Sequence, residues 1–183
     1  MVKVLDEGNL RFDFSNCPVV AAPIKFDTNS PHGITSVDFI AETEDCVYFI
    51  EVKDFQNPYA PKEQHKADYE MIVAAGKEKS AVKDDLSLAK GTIFNFKIGQ
   101  KIKDSLLRKY ALGEEITKNI VYLVLINLDN LGKNERARLK DKISGHIPNG
   151  LNTDEYGSFT NITFKLVNAE QIKEYGITCT TKA

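Results

Sequence analysis

Ser36-Val-Asp-Phe-Ile-Ala-Glu-Thr-Glu-Asp-Cys-Val-Tyr-Phe-Ile-Glu-Val-Lys-Asp-Phe55 holds two apolar runs, Ser36 to Glu42 and Val47 to Lys53, separated by the polar group Thr43-Glu44-Asp45-Cys46. Runs rich in β-branched and aromatic residues, joined by four polar ones, read as a β-hairpin. With residues 43 to 46 as the connection, Glu42 faces Val47, and the same count sets Asp38 opposite Glu51. Alternation then places Asp38, Ile40, Phe49, Glu51 and Lys53 on one face, and Val37, Phe39, Ala41, Tyr48, Ile50 and Val52 on the other. Opposed carboxylates with β-carbons about 5 Å apart repel unless a cation neutralises them. The candidates are a divalent cation and the Lys53 ammonium. Oxygen ligands at that separation suit Mg²⁺ or Mn²⁺.

Outward from the hairpin, Asn9 to Phe14 alternates as a strand, while Cys17 to Asp27, with two prolines, suits either a short helix or an irregular strand. Pro58 and Pro61 bracket a break, and Pro61 fits the first turn of a helix running from Lys62 to Ala75. From Asp84 to Leu112, Leu86, Ile93, Phe94, Ile98, Ile102, Leu106 and Tyr110 recur at helical spacing, with Gly91 and Gly99 as expected breaks. Asn119 to Asn127 is a continuous apolar strand of the kind covered on both faces. A helix at Lys133 to Ile143, a loop rich in Gly and Asn, a strand at Asn161 to Val167 and a helix at Ala169 to Tyr175 follow. This order predicts an α/β (α+β) fold, a mixed central sheet flanked by helices, in one domain over residues 1–183.

Composition narrows the function classes. The chain has 183 residues, 42% of them apolar, and 24 Lys plus Arg against 26 Asp plus Glu leave a net charge of −2. That excludes a wholly basic nucleic-acid coat protein and an acidic disordered tail. The longest strongly apolar run, Ile120 to Ile126, has seven residues, against roughly 20 needed to cross a bilayer, so no membrane partner is expected. Residues Met1 to Gly8 lack a secretory signal's apolar core and cleavage site, which points to the cytoplasm. Cys17, Cys46 and Cys179 show neither disulfide nor zinc spacing, and His32, His65 and His146 form no ligand pair. Glycine-rich phosphate loops and a nucleophile elbow are absent from the sequence.

Asp38, twelve intervening residues and then Glu51-Val52-Lys53, with a hairpin before and a helix after, resembles the PD-(D/E)xK nuclease superfamily, whose fold is that of type II restriction endonucleases. Val37 stands where the family's proline would be, and the resemblance covers residues 36 to 70. It implies that Asp38, Glu51 and the main-chain carbonyl of Val52 hold Mg²⁺ (or Mn²⁺), and that Lys53 orients the attacking water and stabilises charge on the phosphate. The reaction implied is phosphodiester hydrolysis. Family members also supply an upstream acid, for which Glu7, Asp13 and Asp27 are candidates before Asp38, and some use a Gln or Tyr from the following helix, which points to Gln64, with Asp68 four residues on. The implied partner is nucleic acid, DNA ahead of RNA, with a homodimer as one assembly.

Charge is unevenly spread. Residues 1–60 hold four basic against ten acidic side chains, net −6, and residues 61–183 hold 20 against 16, net +4. Lys90, Lys97, Lys101, Lys103, Arg108 and Lys109 form one basic group, and Lys133, Arg136, Arg138, Lys140 and Lys142 a second. Either suits a phosphate backbone, although lysines on the polar face of an amphipathic helix are the more ordinary reading. Phe94 and Phe96, amid the first group, are expected in the core. Two rivals to a nuclease remain: a catalytically inactive nuclease-fold binding or assembly module, and an α/β interaction domain whose hairpin charges are surface salt bridges.

Overall fold

The computed structural model describes residues 3–19, 24–25, 34–56, 85–114, 116–128, 131–148 and 162–182, with side chains described outside 24–25 and 85–93. The hairpin forms from β4 (Phe39–Glu42) and β5 (Cys46–Asp54), paired Glu42 to Val47 through Phe39 to Ile50 in the expected register. Thr43 closes the turn, its N–H donating to the Cys46 carbonyl at 2.8 Å and its Oγ1 accepting the Cys46 N–H at 3.0 Å.

A five-stranded mixed sheet grows from this hairpin in the order β3-β4-β5-β6-β7. β3 (Ile24–Lys25) edges β4, while β6 (Asn119–Asn127) lies parallel to β5 and β7 (Ile162–Val167) parallel to β6. Parallel neighbours need crossovers, which carry α1 (Asp85–Ala111) before β6 and α2 (Lys133–Ser144) before β7. Both helices pack on one face: Phe94, Ile98 and Ile102 of α1 and Leu139 and Ile143 of α2 join Phe49, Tyr122, Val124 and Phe164 in one apolar cluster. The Glu135 carboxylate accepts the Gly132 N–H at 2.9 Å and so starts α2.

α1 runs unbroken through Gly91 and Gly99, so neither is the expected break. At Gly99 a Cβ would meet the His146 Cβ at 2.5 Å and its carbonyl oxygen at 2.8 Å, so the absence of a side chain lets α1 approach the turn after α2.

The opposite face of the sheet is covered by three strands, one of them the strand expected at Asn9 to Phe14. β1 (Val4–Glu7), β2 (Leu10–Asp13) and β8 (Thr178–Thr181) form an antiparallel sheet in the order β1-β2-β8. Phe12, Phe14, Ile172 and Ile177 from this layer pack against Phe39, Ile50, Leu123 and Leu125. The expected terminal helix at Ala169 to Tyr175 is instead a five-residue 3₁₀ helix (Gln171–Tyr175), ended by Gly176 at φ 72°. A side chain at that glycine would run into the Asn16 carbonyl at 2.5 Å. The chain then returns as β8. With helices on one side and a second sheet on the other, β6 is buried on both faces, which its unbroken apolar run requires; each such side chain contributes roughly 1.5–3 kcal/mol. Among the described residues no helix is long and apolar enough to cross a membrane.

Candidate active site

The β4–β5 ladder ends at Phe39 and Ile50, and Asp38 lies one residue beyond it, in a bend. α1 pulls the preceding segment off the strand path. Thr35 donates from N–H and Oγ1 to the Asp104 carboxylate at 2.9 and 2.7 Å, and Val37 donates its N–H to Ser105 Oγ at 3.0 Å. Val37 consequently packs in the helix-side cluster, not on the opposite face that strict alternation assigned to it. Asp38 keeps its position across from Glu51. Its Oδ2 accepts the Val52 N–H at 2.6 Å, a bond that a β4 carbonyl would otherwise accept. In a strand the N–H and C=O of one residue lie along the same edge, so the Val52 carbonyl lies along the edge of β5 that faces β4.

Glu51 has no solvent exposure. It sits on the helix side of β5, beside Val124 of β6. Two ammonium groups reach its Oε1: Lys53 at 2.8 Å, from the next residue on the same strand face, and Lys101 at 2.9 Å, from α1. Both stand at ion-pair distance without hydrogen-bond alignment, and Glu51 Oε2 is buried with no partner among the described residues. Lys101 also lies 3.8 Å from Asp38 Oδ1, so its ammonium is shared between the two carboxylates. Lys53 is the more open of the two lysines, with 30% of its side chain exposed against 17% for Lys101.

Burial, then the neighbouring Glu51, pushes the Asp38 carboxyl up to about 7, against the opposing pull of Lys101, Lys53 and the Val52 N–H. Tyr122, fully buried with its hydroxyl donating to the Ile98 carbonyl at 2.8 Å, has its phenol raised well above the usual range by burial and by Glu51 and Asp38.

Comparison with family models, characterised proteins and solved structures finds no match to this chain.

The donor set has the chemistry of a small divalent-cation site: a carboxylate in the bend before β4 and one on β5, a main-chain carbonyl on the edge of β5 that faces the bend, and a buried carboxylate oxygen without a hydrogen-bond partner among the described residues. Among the described residues no group of three His, Cys, Asp or Glu side chains converges. Glu7 and Asp13 lie on β1 and β2, in the other sheet, where Asp13 accepts the Ser15 N–H at 2.8 Å. Asp27, Gln64, Asp68, Pro61 and the helix expected from Lys62 to Ala75 fall outside the described residues.

Lys101 is the member of the site that sequence reading missed, having been grouped with the surface lysines of α1. Its signal was present: it stands three residues after Ile98 and seven after Phe94, on the stripe that faces the sheet. The first basic group is accordingly divided. Lys101 turns to the carboxylates, and Lys109 is buried in ion pairs with Glu42 at 3.0 Å and with Glu114. Desolvation pulls the Lys109 pKa down, but Glu114 and Glu42 hold it above its ordinary value. Lys97 and Lys103 remain exposed. Phe94 is in the core as expected, whereas Phe96 is 52% exposed and rests edge-on against the His146 ring, with centroids 6.1 Å apart.

Proposed function

We propose that this chain is a metal-dependent phosphodiesterase acting on nucleic acid, built on a restriction-endonuclease-like core, with Asp38, Glu51 and the Val52 carbonyl holding Mg²⁺ or Mn²⁺. The observation that carries the reading is the fully buried Glu51 carboxylate, one oxygen unpartnered, set across the hairpin from Asp38 with Lys53 at its rim. A mere salt-bridged sheet edge would be wet; this cluster is not. When bound, the cation supplies Lewis-acid polarisation of the phosphate and an acidified water. Lys53 is exposed enough to meet a phosphate oxygen while held by Glu51, which suits it to orient water and offset developing charge. Lys101 keeps the two carboxylates compatible with burial before the cation arrives. DNA in preference to RNA as substrate, and a homodimer as assembly, belong to the same proposal. Three free cysteines, two of them buried, accord with the cytoplasm as its setting.

The test is cleavage of labelled single- and double-stranded DNA and RNA with Mg²⁺ or Mn²⁺. Activity lost in Glu51→Gln and Lys53→Ala, and in chelator, supports the reading; equal cleavage by folded variants removes it. The Lys101 ammonium between the carboxylates also favours a second reading, a catalytically inactive module in which two lysines have taken over charge neutralisation. Calorimetric titration with Mn²⁺ separates the two, since only the first requires Glu51-dependent binding.

A further inference from the structure

The second basic group of the sequence occupies a different place in the fold. Lys133, Arg136, Ala137 and Lys140 of α2 line a cleft of about 440 Å³ with Leu131, Leu166 of β7 and Gln171 of the 3₁₀ helix. The three cations follow one another at i, i+3 and i+7, on one stripe of α2, and no described lining residue is acidic. Lys133 and Lys140 are exposed, but Arg136 is half-buried and fixed in place, its Nε donating to the Leu131 carbonyl at 3.3 Å and its Nη2 to the Leu128 carbonyl at 3.4 Å. Its third nitrogen, Nη1, is buried and has no hydrogen-bond partner among the described residues. Burial lowers the Arg136 pKa. A fixed guanidinium between two exposed lysines, above an apolar floor, has the chemistry of a phosphate cradle.

Strand register relates this cleft to the carboxylates. Glu51 pairs with Val124, and Val124 with Leu166, so the floor of the cleft stands in the same row as Glu51, two strands across. At about 4.8 Å between strands that is roughly 10 Å. Glu51, Val124 and Leu166 also share the helix-side face, where Val124 and Leu166 belong to one apolar cluster. A nucleic-acid strand carries one phosphate per roughly 3.4 Å of helix axis, so about three steps separate the two places.

We propose that the Lys133/Arg136/Lys140 cleft binds a phosphate of the nucleic-acid backbone a few nucleotides from the one held at Asp38 and Glu51. The inference rests on the nuclease reading for its ligand, and its test does not depend on cleavage. Fluorescence anisotropy of labelled oligonucleotides in chelator, over a range of salt concentrations, is measured for wild type, Arg136→Gln and the double variant Lys133→Gln/Lys140→Gln. Both lysines are exposed, so the double variant remains folded. The expected result is weaker binding in both, with the slope of log K against log salt reduced by up to about one in each, the loss of a single phosphate contact. Inorganic phosphate serves as the second probe and is expected to compete only at far higher concentration than the polymer. Unchanged affinity and slope in both variants overturn the proposal, as does binding of inorganic phosphate through Arg136 with none of the polymer. Glu51-dependent cleavage with unchanged slopes removes the cleft alone; Arg136-dependent binding without cleavage in any metal removes the nuclease reading and leaves the cleft as a nucleic-acid contact.

Discussion

Replacing Lys101 by Met removes the shared ammonium while keeping a flexible apolar stem of similar length. At an effective dielectric near 20, a unit charge 2.9 Å from Glu51 Oε1 contributes a gross attraction of about 6 kcal/mol, and 3.8 Å from Asp38 Oδ1 about 4 kcal/mol. Desolvating the lysine offsets most of this, and Lys53 remains beside Glu51 at 2.8 Å. Breaking one partner out of a buried ion pair typically costs 3–5 kcal/mol; with Lys53 still in place the lower figure, about 3 kcal/mol, is expected. For a chain of 183 residues this lowers Tm by roughly 6–12 °C. The assay is thermal and urea unfolding in chelator and in Mn²⁺. In the variant, Mn²⁺ at a hundred times its Kd returns about 2.7 kcal/mol, and its Kd is lower than in wild type because no ammonium competes. A Lys101→Met protein as stable as wild type in chelator, or one no more responsive to Mn²⁺, would falsify the placing of Lys101 between the two carboxylates.

Other consequences follow from the same geometry. With Asp38 raised to about 7 in the fold and near its ordinary value when unfolded, the folded state holds an extra proton between about pH 4 and 7. Stability therefore falls as pH rises through that window, by about 4 kcal/mol in metal-free solution. Asp38→Asn flattens this pH profile of urea unfolding, and an unaltered profile would show that Asp38 is not the titrating group. Ser105→Ala leaves the Val37 N–H without its acceptor and costs about 1–3 kcal/mol, with weakened Mn²⁺ binding because the segment presenting Asp38 is freed from α1; normal stability and Mn²⁺ affinity would contradict it. Gly99→Ala gains up to about 1 kcal/mol of helix propensity but meets the His146 backbone, so a net loss of about 1–2 kcal/mol is expected in urea titration, and stabilisation would refute the close approach.

How far the fold could be read from the chain depended on how many strand faces were buried. The hairpin register followed from counting across Thr43 to Cys46, because buried alternation leaves one register in which apolar side chains face the core. β6 announced itself by the seven residues Ile120 to Ile126, without a break in apolar character or strand propensity. The second sheet was harder to see. β1 is only partly buried, with Val4 exposed, and β8 is four residues of which only Cys179 is buried, so neither shows a strong period. The dipeptide Gly8-Asn9 between β1 and β2 was the legible cue to that hairpin. Gly99 read as a break because helix propensity registers its cost but not the packing that compensates it.

In the site, Asp38, Glu51 and Lys53 could be grouped from local sequence because one hairpin carries all three. Lys101 lies 50 residues further along the chain than Glu51, and only the packing of α1 on the sheet brings it there. The displacement of Val37 has the same origin: Asp104 and Ser105, also on α1, hold residues that local alternation assigned to the strand.

The most direct measurement of the central claim is an anomalous difference map from crystals soaked in Mn²⁺. A peak is expected at bonding distance from Asp38 and Glu51 Oε2, with the Lys101 ammonium moved off Asp38. A fully soaked crystal with no peak there, and Lys101 still seated between the two carboxylates, would contradict it.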